Sequence, residues 1–114
     1  MTQITTHVLD VSRGRPAGGV PVLLEHRQGD IWTTIWHAAT DHDGRVRDIL
    51  PFDSGASAEG VFRLRFDTSS YFRSMSQPSF YPYVEIVFEI HDSAQHYHVP
   101  LLLSPFGYST YRGS

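Results

Sequence analysis

The stretch Val61-Phe62-Arg63-Leu64-Arg65-Phe66 decides how this chain folds. Its large apolar residues, Phe62, Leu64 and Phe66, take every second position, and arginines fill the two gaps between them. Successive side chains of a strand point to opposite faces, so a period of two predicts a strand with one face in a core. Working outward, Val84, Ile86, Phe88 and Ile90 alternate with Glu85, Val87 and Glu89 in the same way. Val20, Val22 and Leu24 predict another strand, as does the β-rich run Ile31 to Ala38 with both tryptophans. Between these two, Gln28-Gly29-Asp30 reads as a tight hairpin turn. Asp43-Gly44 marks a second turn, with Arg45 directly after it. Ile4 to Val11 and Tyr97 to Leu103 complete the main strands, and Gly107 to Arg112 adds a short final one.

A helix is predicted over Thr68 to Met75, capped by Asp67 or Thr68 and followed by Pro78. Seven or eight strands at regular spacing with one short helix give an all-β chain, a two-sheet antiparallel β-sandwich. With no repeat, linker or low-complexity tract, residues 1–114 are expected to form a single domain. A chain of this length buries roughly two-thirds of its unfolded surface, enough for one core without covalent staples.

Composition narrows the function classes. The hydrophobic fraction is 40% and the aromatic fraction 13%, as in globular proteins. With no cysteine, disulfides, thiolate metal sites and cysteine nucleophiles are excluded. The net charge is −3, and all nine basic residues are arginines scattered mostly beside acids, so no basic stripe marks a nucleic-acid surface. No apolar run approaches the roughly 18 residues of a membrane helix. MTQITTHVLD lacks the basic start and apolar stretch of a leader, and a cytoplasmic protein is the expectation. There is no Gly-x-Ser-x-Gly elbow and no phosphate-binding glycine loop. Seven histidines focus the search for chemistry.

Parity places several of them together. In the first strand Thr6 and Val8 share one face, while His7, Leu9 and Val11 share the other. Tyr97, Val99, Leu101 and Leu103 form a core face whose reverse carries His96, His98, Pro100 and Leu102. The last strand groups Ser109, Tyr111 and Gly113. A merely wet face would not carry Leu9, Val11, Leu102 and Tyr111. The mixture of apolar residues and histidines points to a surface covered by another subunit, with polar groups gathered for a ligand.

Three segments resemble the 5-hydroxyisourate hydrolase branch of the transthyretin-like superfamily. They are THVLD (Thr6 to Asp10), TDHDGR (Thr40 to Arg45) and HVPLLLSPFGYSTYRGS (His98 to Ser114). The last is the most specific, and its ending, Tyr111-Arg112-Gly113-Ser114, separates these hydrolases from the hormone carrier transthyretin. The resemblance covers essentially the whole chain and implies a transthyretin-like sandwich. It also implies a cofactor-free homotetramer whose subunits pair by extending their sheets, with active sites where two dimers meet around a channel. The implied reaction, in urate degradation, is water attack on the C6–N1 amide of 5-hydroxyisourate to give 2-oxo-4-hydroxy-4-carboxy-5-ureidoimidazoline. The implied catalytic residues are His7, Arg45, His98 and Ser114, with His7, Arg45 and Tyr111 holding substrate.

The residue types suit that chemistry. Imidazole titrates near neutrality, so it can take water's proton and return it to the leaving nitrogen. That role is assigned to His98, with His7 holding water or substrate, although sequence leaves open which of the two is the base. Arg45 offers a charged planar fork for a flat, oxygen-rich anion and can stabilise charge on the carbonyl oxygen. An arginine after Asp-Gly is more usually a solvated turn residue, a role that suits Arg47 better. Tyr111 can close the channel and pack on the substrate plane. Ser114 offers a hydroxyl and the terminal carboxylate.

A metal is the sharpest competing reading. His96-Tyr97-His98 puts two imidazoles on one face, His7 could make a third, and zinc-bound water also cleaves amides. Same-face histidine pairs are frequent by chance and the resembled family works without metal, so no metal ligand is expected. His26, His37, His42 and His91 are expected to be structural or exposed. A carrier of small aromatic ligands and a structural sandwich are the other classes. Bulky polar groups in the channel argue against the first, and titratable groups on the covered face against the second.

Overall fold

The computed structural model describes residues 3–47, 49 and 59–113. Its strands are β1 (Gln3–Asp10), β2 (Arg15–Pro16), β3 (Pro21–Gln28), β4 (Ile31–Ala39) and β5 (Arg45–Val46), then β6 (Gly60–Phe66), β7 (Val84–Ile90), β8 (His96–Ser104) and β9 (Gly107–Thr110). One helix, α1 (Thr68–Arg73), lies between β6 and β7. The first sheet runs β2-β1-β8-β9, with β5 also paired to β1, and the second runs β4-β3-β6-β7.

The alternating positions meet between the sheets. Ile4, Val8, Leu101 and Leu103 face Val22, Leu24, Phe62, Leu64 and Phe66 in one buried cluster, which Val84, Ile86 and Ile90 extend. Each such side chain contributes roughly 1.5–3 kcal/mol when fully buried. α1 adds Tyr71 and Phe72 to the same core. Asp67 caps it, its side chain accepting from the Ser70 amide at 3.2 Å. The helix ends at Arg73, short of the expected Met75, because Ser74 turns its hydroxyl back to the Tyr71 carbonyl and Ser76 takes a left-handed φ of 54°.

The sandwich departs from the sequence expectation in three places. β1 and β8 pair in parallel, from Gln3 opposite His96 to Asp10 opposite Leu103, while the other strand pairs are antiparallel. Alternation reports which face a residue takes, not the direction of its neighbour, and no hairpin ties strands so distant in sequence. The two-residue strands β2 and β5 are too short to show a period. β9 stops at Thr110, before the expected Arg112, leaving an isolated bridge between His98 and Gly113.

The first segment of the sequence resemblance anchors this architecture. Thr6 donates its hydroxyl to the Val99 carbonyl at 2.5 Å, tying β1 to β8. Asp10 is fully buried and accepts from the Tyr71 hydroxyl at 2.7 Å and the Ser12 hydroxyl at 2.6 Å, joining β1 to α1. Burial and that bond to Asp10 push the Tyr71 phenol up to about 12. A buried carboxylate needs such donors, since leaving it unpaired costs several kcal/mol.

Candidate active site on the outer face of the first sheet

The segment Thr40 to Arg45 is built to deliver an arginine. Thr40 donates its hydroxyl to the Ala17 carbonyl and accepts from the Val20 amide, pinning the loop's start. The Asp41 carboxylate accepts from the amides of Asp43 at 2.9 Å and Arg45 at 3.0 Å, which closes the turn. These bonds hold its carboxyl below the usual range, the Arg45 amide contributing most. Gly44 has φ 74°, and a Cβ there would run into the Val8 carbonyl, so only glycine fits. Its carbonyl accepts from the Val8 amide at 2.7 Å, and the chain leaves as β5 with Arg45 directly opposite His7.

β8 supplies the other side. Thr5 lies opposite His98 and His7 opposite Pro100, so the alternation places Thr5, His7, His96 and His98 on one outer face. Thr5, Thr6, Arg45, Val46, Arg47, His96 and His98 line an open groove of about 480 Å3 there. The Thr5 Oγ1 sits 2.7 Å from His98 Nδ1 and 2.9 Å from His96 Nε2.

Both imidazoles of interest lie below their ordinary value of 6.5. For His98 burial is the largest cause, followed by the neighbouring His96, Arg45 and His7. For His7 it is burial and then Arg45, opposed by the Asp43 backbone and the charges of Asp41 and Asp43. Each therefore stays neutral at pH 7 and able to accept a proton. Among the described residues, neither Arg45 nor Arg47 forms an ion pair within 4 Å. The arrangement combines a proton acceptor with a planar cation, groups that can serve amide hydrolysis.

The expected residues are gathered unequally. His7, Arg45 and His98 share the face. Tyr111 lies beyond β9, 58% exposed, and lines with His98 a second cavity of about 250 Å3 at the open side of the sandwich toward β7. Ser114 lies outside the described residues. The segment leading to it passes His98 closely, with the Gly113 amide donating to the His98 carbonyl at 2.9 Å. A Cβ at Gly113 would strike the His98 ring, so the chain can pass only as glycine. Arg47 is exposed, as a solvated residue would be, and lines the groove beside Arg45. Thr5, whose hydroxyl reaches both His96 and His98, is a lining position that sequence reasoning did not single out; its parity with His7 was the available signal.

The competing metal reading finds little here. Among the described residues, one group of three ligand-type side chains lies within 4.8 Å, and it is Asp41, His42 and Asp43 rather than the three histidines. Those three are on the turn, where the Asp41 carboxylate is occupied by backbone amides. Elsewhere His26 stacks on Phe62 at 4.4 Å, while His37, His42 and His91 are exposed.

Comparison with known proteins separates fold from activity. A probable 5-hydroxyisourate hydrolase of Caenorhabditis elegans is 51% identical over 111 residues, 97% of this chain and 81% of that protein. The solved 5-hydroxyisourate hydrolase of Klebsiella pneumoniae superposes with a TM-score of 0.81 at 35% identity, covering 100% of this chain and 94% of that one. Sea bream transthyretin in complex with thyroxine superposes with a TM-score of 0.89 at 32% identity, covering 96% and 93%. The hydrolase and the thyroxine-bound transthyretin thus both share this chain's fold. With residues 4–113 also matching its sequence profile, the chain belongs to the HIUase/Transthyretin family.

Proposed function

We propose that this protein hydrolyses 5-hydroxyisourate in urate degradation, opening its C6–N1 amide to give 2-oxo-4-hydroxy-4-carboxy-5-ureidoimidazoline. The observation that carries the reading is the grouping of neutral-poised His7 and His98 with Arg45 on one sheet face. The relatives named as hydrolases support the choice of substrate.

In the reaction, His98 accepts a proton from water as the water oxygen bonds to C6. Arg45 binds the planar, oxygen-rich substrate and stabilises the negative charge gathering on the carbonyl oxygen. The C6–N1 bond then breaks, and the proton held by His98 passes to N1. His7 holds the water or the substrate edge, Tyr111 covers the ring plane, and Ser114 supplies polar groups from the chain end. The scheme needs no cofactor.

The whole chain acts as one hydrolase domain in a homotetramer, with the cytoplasm as the compartment expected from its sequence. Two features support assembly. Among the described residues, β7 and β9 are edge strands that pair with another strand on one side only, leaving the other side available to extend the sheets. Val11, at 53% exposed, and Tyr111 are apolar groups left open around the imidazole face.

A carrier of small aromatic ligands is the second reading, favoured by the closeness of the transthyretin fold. One assay separates them: decay of freshly made 5-hydroxyisourate followed in the ultraviolet, with and without chelator. Acceleration unaffected by chelator is expected. Chelator-sensitive acceleration would indicate a metal-bound water, and no acceleration would leave the carrier.

A further inference from the structure

We infer that Thr5 is a positioning residue: its hydroxyl, held between His98 Nδ1 and His96 Nε2, selects the tautomer of His98 and couples the two rings. The inference rests on the hydrolase reading with His98 as proton acceptor. It starts from the two contacts of Thr5 Oγ1, 2.7 Å to His98 Nδ1 and 2.9 Å to His96 Nε2.

A hydroxyl has one proton, so with a neutral ring on each side it donates to one nitrogen and accepts from the other. Two arrangements satisfy both bonds. In the first, His96 Nε2–H donates to Oγ1, and the hydroxyl donates to His98 Nδ1. The proton of His98 is then on Nε2, and the ring cannot take another without gaining charge at the nitrogen already bonded to Thr5. In the second, His98 Nδ1–H donates to Oγ1, and the hydroxyl donates to His96 Nε2. This leaves His98 Nε2 with a free lone pair, the form a general base needs. Because His96 is exposed and can take either tautomer with water, Thr5 is free to hold His98 in the second state.

The same bridge eases the charged intermediate. When Nε2 takes water's proton, His98 becomes an imidazolium among cationic neighbours. The cations are Arg45 of β5 and Arg47 just after it, which line the groove, and Arg112, which lines the adjoining cavity; the rings of His7 on β1 and His96 on β8 share the face. Moving the Nδ1 proton to Oγ1, and the hydroxyl proton to His96 Nε2, transfers the positive charge to the exposed ring with no net gain or loss of protons. The reverse shift restores His98 as it gives its Nε2 proton to the departing nitrogen. Burial, then His96, Arg45 and His7, lower the His98 pKa, which is the penalty the transfer relieves.

Thr5→Val keeps the side-chain shape and removes the hydroxyl; Thr5→Ser keeps the hydroxyl. With a wild-type melting temperature in both, Thr5→Val is expected to lower kcat about tenfold or more with KM nearly unchanged, less than the ~10²–10⁴-fold of losing the base itself. Thr5→Ser is expected to restore most of it. Imidazole nitrogen-15 shifts give a readout independent of turnover: His98 is expected as the Nδ1–H tautomer in the wild type and Thr5→Ser, and not in Thr5→Val. An unchanged His98 tautomer in Thr5→Val overturns the inference, as does unchanged kcat. Failure of the wild type to hydrolyse the substrate would instead remove the hydrolase reading and leave the tautomer result standing by itself.

Discussion

On the outer face of the second sheet, Arg63 clamps Glu25 through two hydrogen bonds of 2.6 and 3.0 Å and reaches Glu85 at 3.4 Å. Its guanidinium also lies 4.1 Å from the Trp32 ring, and Arg65 lies 4.0 Å over Tyr83. On the outer face of the first sheet, Arg45 faces His7 and His98, and among the described residues it forms no ion pair with a carboxylate. One face has its cations closed by anions and rings. The other leaves a cation uncommitted and pushes its imidazoles toward neutrality. Paired charge holds a fold together, whereas unpaired charge kept on a rigid sheet costs stability and is available to a ligand. The contrast assigns structure to one face and chemistry to the other.

Removing one side chain from each face tests that assignment. His98→Ala is expected to cut turnover by roughly 10²–10⁴-fold, the range for a lost general acid or base, with little change in melting temperature. Near wild-type turnover would take His98 out of the mechanism. Arg63→Ala is expected to do the opposite. It leaves Glu25, only 11% exposed at its side chain, without its clamp and should cost about 3 kcal/mol in urea unfolding while kcat is retained. Loss of activity in a stably folded Arg63→Ala protein would break the division between the faces.

A finer cut keeps the charge and changes its shape. Arg45→Lys retains a cation but cannot reproduce the planar fork, so about 1.5–3 kcal/mol of charge-assisted hydrogen bonding is at stake. That corresponds to a loss in kcat/KM of roughly tenfold to a hundredfold. Unchanged kinetics would make Arg45 a bystander of the turn.

The same contrast shows what was legible in the sequence. Burial direction was, because Phe62, Leu64 and Phe66 on one strand and Tyr97, Val99, Leu101 and Leu103 on another obey a period of two that no register error disguises. The face shared by His7 and His98 followed from the same rule. The parallel pairing of β1 and β8 did not, since alternation carries no strand direction. Nor did β5: two residues show no period, and Arg45 reaches His7 through the Asp41 turn and the Gly44 carbonyl, contacts between backbone atoms. Thr5 stayed hidden because a threonine in a strand is ordinary until its neighbours across the sheet are known. Glu25 was hidden for the same reason, as its burial depends on Arg63 from the adjacent strand.

The pH response offers the smallest effect and the sharpest sign. His7 and His98 have folded pKa values lowered below 6.5, and the neutral ring is the competent form. The acid limb of kcat/KM, which reports the free enzyme, should therefore have its midpoint below 6.5, with activity flat above it. Stability also declines on acidification, but in a higher window than activity does. Above 6.5 these rings are neutral in both states and cost nothing; as pH falls through 6.5 the unfolded chain takes up protons that the folded chain refuses, and stability declines until the folded rings titrate too. Between the folded pKa values and 6.5 the enzyme should thus lose resistance to urea while keeping its turnover. Arg45 is one of the charges depressing both rings, so Arg45→Met should move the limb up toward 6.5, and Arg45→Lys, with its charge intact, should leave it in place however much rate is lost. A limb at or above 6.5 in the native enzyme would mean that the imidazoles of this face are as well paired as the arginines of the other.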